Sequence, residues 1–447
     1  MRVETPETGS GRQGTGDTAP PVRGSGYAGL VIAAVALTAS MVVYVIYLSD
    51  RTITWSDLRV YIDAGMIVRS RPNTLYTWHL AHLTDIKFTY TPFAGLVFAV
   101  ASELSRNVLH WLMTVASIAA LPAVAWLTFR QLGWSPRSRL TGTLAVSAIS
   151  LWLEPVVRAL HLGQIELLLM LLIVWDLCQS DRRWWKGAGI GVAAGIKMVP
   201  LIFIPYLILC GKIRQAVVAS ATVAVTILIG FAVLPHASIK WWLTGYFLHA
   251  GNTGDVASLV NQSLYAVIAR AMGGSTQATP AWFAVAILAG VTGLAAAAAL
   301  YRRGYQVEGW LTCAITGLLV SPISWDQHWV WVIPVLVVLA DRAVRAGGWA
   351  RAGYAASIVA VVLVYGAWPY KWTSSTDFHI YYGLIGFFIG PHPQDEIYHL
   401  HGIQVITWNV FALGGLVMLA VAIAAAVRAW RAHGATRGSQ PASLPAR

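Results

Sequence analysis

The sequence predicts an all-α polytopic membrane protein. Of its 447 residues 57% are hydrophobic and only 11% charged, against about 25% charged in soluble domains, so the chain lacks the polar surface that a water-soluble fold requires. The apolar residues arrive in long blocks, and an uncharged run of about 18 or more matches the hydrocarbon thickness of a bilayer. A soluble enzyme, a fibrous or disordered chain and a small secreted scaffold are excluded on the same grounds.

Residues 1–26 are rich in Gly, Thr, Pro and Arg with little aliphatic content, a composition that cannot build a core and predicts a disordered cytoplasmic N-terminus. The stretch 428–447 reads as a tail of the same kind. Between them, 27–427 forms the membrane domain. Its first block, 27–48, is too long for a signal-peptide core and reads as the first crossing. Further crossings are expected near 107–129, 140–157, 164–179, 187–197, 198–210, 216–234, 281–301, 309–323, 328–341, 352–368 and 403–427, about twelve in all. The two short ones at 187–210 flank Lys197-Met198-Val199-Pro200, where proline ends one helix and the chain turns back near the membrane surface.

The segment 49–106 is the first outer loop. Within it Leu58, Ile62 and Met66 recur at helical spacing and predict an amphipathic surface helix. The apolar piece 90–105 is expected to lie at the surface or re-enter, because a full crossing would invert every later loop. The net charge of +12 (31 basic less 19 acidic residues) sits mostly between apolar blocks and therefore reads as a topology signal and a contact to lipid headgroups. With the N-terminus inside, 20 of the 31 Lys and Arg fall on the cytoplasmic side, as the positive-inside rule requires. The outer face then collects 49–106, 158–163, the Lys197 turn, 235–280, 321–328 and 369–402. Cys178, Cys210 and Cys313 lie in or beside apolar runs with no metal or disulfide spacing.

The candidate residues gather on that outer face. Asp57 fits two roles: Thr54-x-x-Asp57 has the spacing of a capping box, while an acid at the start of a surface helix is placed to act as a general base. Phe88-Thr89-Tyr90-Thr91-Pro92-Phe93 reads as an aromatic interface belt. Arg158, His161 and Gln164 form a polar knot, with Glu166, between two apolar helices; it is either a capped turn or a site. Lys197 is a lone charge in an apolar run, which must snorkel or meet an anion. Trp241, Trp242 and Tyr246 look like surface anchors, and Asn261-Gln262-Ser263 suits a structural or substrate-contact role better than glycosylation. The turn Ser321–Trp329 packs Asp326, Gln327 and His328 between Trp325 and Trp329, a composition that helix packing does not ask for. No metal-ligand spacing, phosphate loop or dinucleotide fingerprint is present.

Taken in order, Ser56-Asp57-Leu58-Arg59-Val60-Tyr61, Tyr90-Thr91-Pro92, Gly163-Gln164, Lys197-x-x-Pro200, Asn261-Gln262-Ser263-Leu264 and Ser321-Pro322-x-Ser324-Trp325 resemble glycosyltransferase family 87, over almost the whole of 27–427. Glu166 departs from the Asn expected there, and His328 stands alone where a pair is frequent. The resemblance implies a GT-C membrane fold and, within the family, the mycobacterial mannosyltransferases that build phosphatidylinositol mannosides. It implies a polyprenyl-phosphate-mannose donor, a phosphatidylinositol mannoside acceptor and inverting transfer on the extracytoplasmic side, with Asp57 as general base and no metal or cofactor. Lys197, His328 and Arg158 would neutralise the donor phosphate. Arg59, Tyr61, Gln164, His161, Asn261, Gln262, Trp325, Asp326 and Trp329 would contact the substrates, the aromatic ones by stacking on sugar rings. A related transferase with another sugar or lipoglycan acceptor is the nearest alternative. A lipid transporter or flippase is further off, since no related halves appear in the sequence.

Overall fold

The computed structural model describes residues 26–49, 55–77, 87–368, 383–386 and 397–438. They form helices and turns; among the described residues the only β pairing is two isolated bridges, Leu153 with Gly366 and Asn261 with Trp325. Every expected crossing corresponds to a helix. Helix α1 (Tyr27–Ser49) packs on α5 (Pro136–Ser150), and α4 (Arg106–Gln131) lies against α5 and α7 (Glu166–Leu177). Helices α8 (Ala188–Ile196) and α9 (Phe203–Leu209) both rest on α10 (Ile213–Val233). On the other side α13 (Ser275–Arg302) and α14 (Gln306–Val320) pair with α17 (Val410–Gly438), while α15 (Val332–Arg345) pairs with α16 (Gly348–Tyr365). Side chains such as Val31, Ile32, Trp111, Leu228 and Leu288 remain exposed, the pattern of a bundle surrounded by lipid rather than water.

Length separates the crossings from the rest. Among the described residues seven helices are long and apolar enough to span a membrane, or eight if the pair α6 (Glu154–Leu162) and α7, bent by 116° between them, counts as one broken span. The count of about twelve is therefore not reached. Helices α8, α9 and α14 are apolar but span at most 15 residues, about 22 Å at 1.5 Å per residue, short of a 30 Å hydrocarbon layer. The segment 90–105 forms α3 (Pro92–Ala101), whose ten residues cannot cross alone. Helix α17 continues to Gly438, into the stretch expected to be a disordered tail.

Serine, threonine and proline begin several helices where the sequence places them. Ser105 and Ser135 accept the first-turn N–H groups of Val108 and Ser138, and Pro136 follows its cap at the first helical position, which costs no backbone hydrogen bond. Helix α2 (Ser56–Ser70) is less of a surface helix than its spacing suggests. Leu58, Tyr61, Ile62, Ile67 and Val68 are buried while Met66 is exposed. Its Gly65 lies so close to the Phe98 carbonyl of α3 that a side chain would collide with it.

Candidate active site

Three backbone devices bring distant residues together. The first is a glycine face on α8: a Cβ at Gly191 would lie 2.5 Å from that of Thr222, and one at Gly195 2.5 Å from Thr226 Oγ1. Small residues four apart let two membrane helices touch backbone to backbone, and this fixes Lys197 at the end of α8. The second is Thr91, which caps α3 through the N–H of Ala94 and donates its hydroxyl to the carbonyl of Gly195, tying Tyr90 to Lys197. The third is Gly163, which ends α6 at φ 69° while the N–H of Gln164 donates to the Ala159 carbonyl at 2.8 Å. This is a left-handed stop that a side chain would strain, and a Cβ there would also meet Leu58 at 2.7 Å.

The result is one connected set of polar groups. Gln164 Nε2 donates to the Asp57 carboxylate, and its Oε1 accepts from Tyr61 at 2.7 Å and from Tyr90 at 3.3 Å. The two phenols are 2.8 Å apart. The ring of Tyr90 lies 5.3 Å below the ammonium of Lys197, which is ion-paired with Glu166 and 2.9 Å from His328 Nε2. Beneath Lys197, Glu166 and His328 opens a narrow crevice lined mainly by apolar groups, among them Leu169, Ile173, Phe203, Leu318 and Trp331. Burial lifts the Asp57 carboxyl to about 6, against the hydrogen bond from Gln164 and the charges of Arg158 and Lys197, which pull it down. Such a group is a base near neutral pH.

Among the described residues no capping bond from Asp57 is seen. Trp55 occupies the N-cap position, at φ 49°, without a side-chain cap; Thr54, the other half of the expected box, lies outside the described residues. The side chain of Asp57 turns to Gln164, with Ser56 Oγ at 3.4 Å. Trp55 stacks on His110 at 4.6 Å, and its backbone N–H donates to the carbonyl of His161. The imidazole of His161 is half-buried, and Arg59 projects into the open two residues after Asp57.

Several predicted contacts prove to be internal. Tyr61 is 2% exposed and its ring is stacked on Phe98 at 4.4 Å, so it orients Gln164 and offers no face to a sugar. Trp329 is wholly buried among Tyr365, Phe411 and Gly415 and is likewise core. Asn261 and Gln262 are fully buried. Asn261 Nδ2 donates to Val256 and Pro322 carbonyls and its Oδ1 accepts from Ser263 and Ser324, while Gln262 joins Leu259, Trp408 and Phe411. These amides fasten the 255–263 loop to its neighbours, and Trp325, half-buried, joins them through its bridge to Asn261. Arg158 and Asp326 are buried partners at 3.1 Å, with Glu154 at 3.9 Å from the same guanidinium. They anchor the turn Asp326–Trp331 that carries His328, and the guanidinium of Arg158 is held by the two carboxylates.

Four groups escaped the sequence reading. Tyr90 was legible as part of an aromatic belt and of a family motif, and Glu166 as a member of a polar knot and a departure from the family pattern, but neither was given a role. Glu154 and Arg270 carried a signal, a charge in an apolar stretch, that was passed over. Arg270 is buried, with hydrogen bonds to Asn409 Oδ1 and to the carbonyls of Ala257, Ser258 and Asn261. Among the described residues no three His, Cys, Asp or Glu side chains converge on a common metal position.

The profile of glycosyltransferase family 87 matches residues 88–322. The chain is 31% identical to a polyprenol-phosphate-mannose-dependent alpha-(1-2)-phosphatidylinositol pentamannoside mannosyltransferase of Mycobacterium tuberculosis, over 67% of this chain and 69% of that one. It is 30% identical to the protein of the same description in Mycolicibacterium smegmatis, over 68% and 75%. A polyprenol-phosphate-mannose-dependent alpha-(1-2)-phosphatidylinositol mannoside mannosyltransferase of Mycobacterium tuberculosis is 28% identical, over 65% and 68%. No solved structure matches the chain.

Proposed function

Because this chain belongs to glycosyltransferase family 87, we propose that it transfers mannose from polyprenyl-phosphate mannose to a phosphatidylinositol mannoside, forming an α-1,2 linkage on the extracytoplasmic face. The donor and acceptor are those named for its relatives. One observation of the site carries the reading: a base and a cation stand at opposite ends of one connected polar set, Asp57 hydrogen-bonded through Gln164 to Tyr90 and the Tyr90 ring facing Lys197, and the cation end opens on an apolar crevice. In this reading the prenyl chain runs along the apolar walls of the crevice, its phosphate meets Lys197 and His328, and the sugar reaches toward Asp57.

The chemistry then needs one step. Asp57 takes the proton of the acceptor hydroxyl, the freed oxygen bonds to the anomeric carbon, and the bond from that carbon to the phosphate oxygen breaks on the opposite side. A β-linked donor becomes an α-linked product by this single inversion. The leaving group is already a stable anion, so the site must steady its growing charge rather than protonate it, a task for fixed cations in a water-poor setting. Lys197 supplies that charge. Tyr61 and Tyr90 keep Gln164 aimed at Asp57, and the exposed Arg59 suits the anionic headgroup of the acceptor. The extracytoplasmic placement rests on the excess of basic residues in the opposite loops.

The test is mannose transfer by the purified protein in nanodiscs, from labelled donor to phosphatidylinositol mannosides of increasing mannose number. Asp57→Asn keeps the shape and removes the base, and is expected to lower the rate by about 10²–10⁴ without loss of folding. Undiminished transfer by that variant would end the role of Asp57, and no transfer by the wild type to any acceptor would end the substrate assignment.

A further inference from the structure

Lys197 is not waiting for an anion; it already has one. Glu166 is ion-paired to it, and His328 Nε2 lies 2.9 Å from the ammonium and 3.4 Å from the Glu166 carboxylate. An ammonium has only protons to give, so His328 Nε2 accepts from Lys197 and carries no proton of its own, and its own hydrogen is on Nδ1. The lone pair of Nε2 therefore faces a carboxylate, an arrangement tolerated because Lys197 donates to both. Little water reaches these groups: the side chains of Lys197, Glu166 and His328 are 17%, 12% and 5% exposed.

A donor phosphodiester brings one more negative charge to this cluster. Lys197 and Glu166 cancel, so the anion would leave a net charge of −1 in a place where uncompensated charge is costly. Among the described residues no other cation faces it. From α6, Arg158 is held by Asp326 and Glu154; from the side of α3, Tyr90 offers only its ring; from α2, Asp57 adds a further acid beyond Gln164. The charged residues of α14 and α15, Glu308 with Arg342 and Asp341 with Arg345, pair at the opposite ends of those helices. The group that can restore neutrality is His328. When the phosphate engages Lys197, Nε2 loses its donor, and a proton from solvent placed on Nε2 gives it a new partner in Glu166.

We propose that donor binding loads one proton onto His328, with Glu166 as the internal anion that holds it, so that the phosphate meets two cations rather than one. The inference rests on the donor assignment above. It makes Glu166 a determinant of donor affinity: the enzyme binds its donor together with a proton, and releases both after transfer.

The experiment is calorimetric binding of a short-chain polyprenyl-phosphate mannose to the full-length protein in nanodiscs, in two buffers of different ionisation enthalpy. It is run on the Asp57→Asn enzyme, so that the base neither titrates nor turns over. The expected result near pH 7 is uptake of close to one proton per donor, with Kd rising by up to about tenfold per pH unit above that point. In Glu166→Gln on the same background the uptake disappears and Kd becomes flat with pH. Binding without proton uptake in the Asp57→Asn enzyme overturns the proposal, as does uptake that survives Glu166→Gln. If the Glu166 variant does not fold, the proton count of the Asp57→Asn enzyme decides alone. Failure to bind donor at any pH refutes the donor assignment, and this inference with it.

Discussion

The hydrogen bond from Gln164 to Asp57 gives the sharpest prediction about the proposed base. Gln164→Leu removes the Nε2 donor, while Tyr61 and Tyr90 keep each other as partners at 2.8 Å. The bond stabilises the charged form of Asp57, so its loss moves that carboxyl upward from about 6. A hydrogen bond to a charged group contributes about 1.5–3 kcal/mol, and each pH unit corresponds to 1.36 kcal/mol, so the shift is about one to two units. At pH 7 the ionised fraction of Asp57 falls from about nine-tenths to between about a half and a tenth, and the rate should fall about two- to tenfold. Near pH 9.5 it should return to the wild-type value. The assay is kcat/KM for the acceptor at saturating donor from pH 5 to 9.5, in which the displacement between the two acid limbs is the measured quantity. A variant whose plateau drops while its acid limb stays in place would refute the reasoning, because Gln164 would then be acting on the substrate and not on Asp57.

Three further outcomes are expected. Gly195→Val places its Cβ 2.5 Å from Thr226 Oγ1 and should destabilise the protein by about 1–3 kcal/mol, seen as a lower Tm in detergent. A rise in the donor KM should accompany it, because α8 carries Lys197. Arg270→Met strips donors from the carbonyls of Ala257, Ser258 and Asn261, at about 1–3 kcal/mol for each group left unsatisfied; Arg270→Lys should not restore the loss, since one ammonium cannot span the same acceptors, and an unchanged Tm in either variant would contradict the role. Arg59→Cys should react with a membrane-impermeant maleimide in intact spheroplasts and Arg182→Cys only after permeabilisation, against a background of native cysteines that are all buried. The reverse pattern would place the site on the cytoplasmic side.

What the sequence made legible follows from how each signal arises. Long helices such as α1, α4, α10 and α13 announce themselves through unbroken apolar runs, and Lys197 with Pro200 marks a helix end because charge and ring are both costly inside a membrane helix. The count of about twelve is not confirmed because an apolar run does not report helix length: α8 and α14 are as apolar as a true span but short and buried against protein, and α9 is shorter still. The site was legible in part. Asp57, Gln164, Lys197 and His328 do converge, whereas Asn261, Gln262, Trp329 and Tyr61 are turned inward. A buried amide that crosslinks a loop and an amide that binds a sugar have the same composition and the same neighbours in sequence, so spacing cannot tell them apart. The pairing of Glu166 was missed for a related reason: its partner Lys197 is 31 residues away, and a helical period cannot report a contact across two helices.

The balance of charge sets the two ends of the bundle apart. At one end three acids are met by bases: Asp181 lies within 2.8 Å of both Lys186 and Lys212, and Glu308 and Asp341 pair with Arg342 and Arg345. At the other end Asp57, Glu154, Glu166 and Asp326 surround two cations, Arg158 and Lys197. Four acids and two bases in a water-poor cluster cannot all be ionised without a large penalty, so this end must hold protons, which fits a proton acceptor better than a ready-made anion trap. Asp57 is the acid best placed to exchange its proton, being half-buried where Glu154 and Asp326 are fully enclosed. The same acid excess explains why a phosphate should arrive with a proton of its own. On the proposed mechanism transfer needs Asp57 empty and His328 loaded, two demands that pull pH in opposite directions and confine full activity to the interval between them.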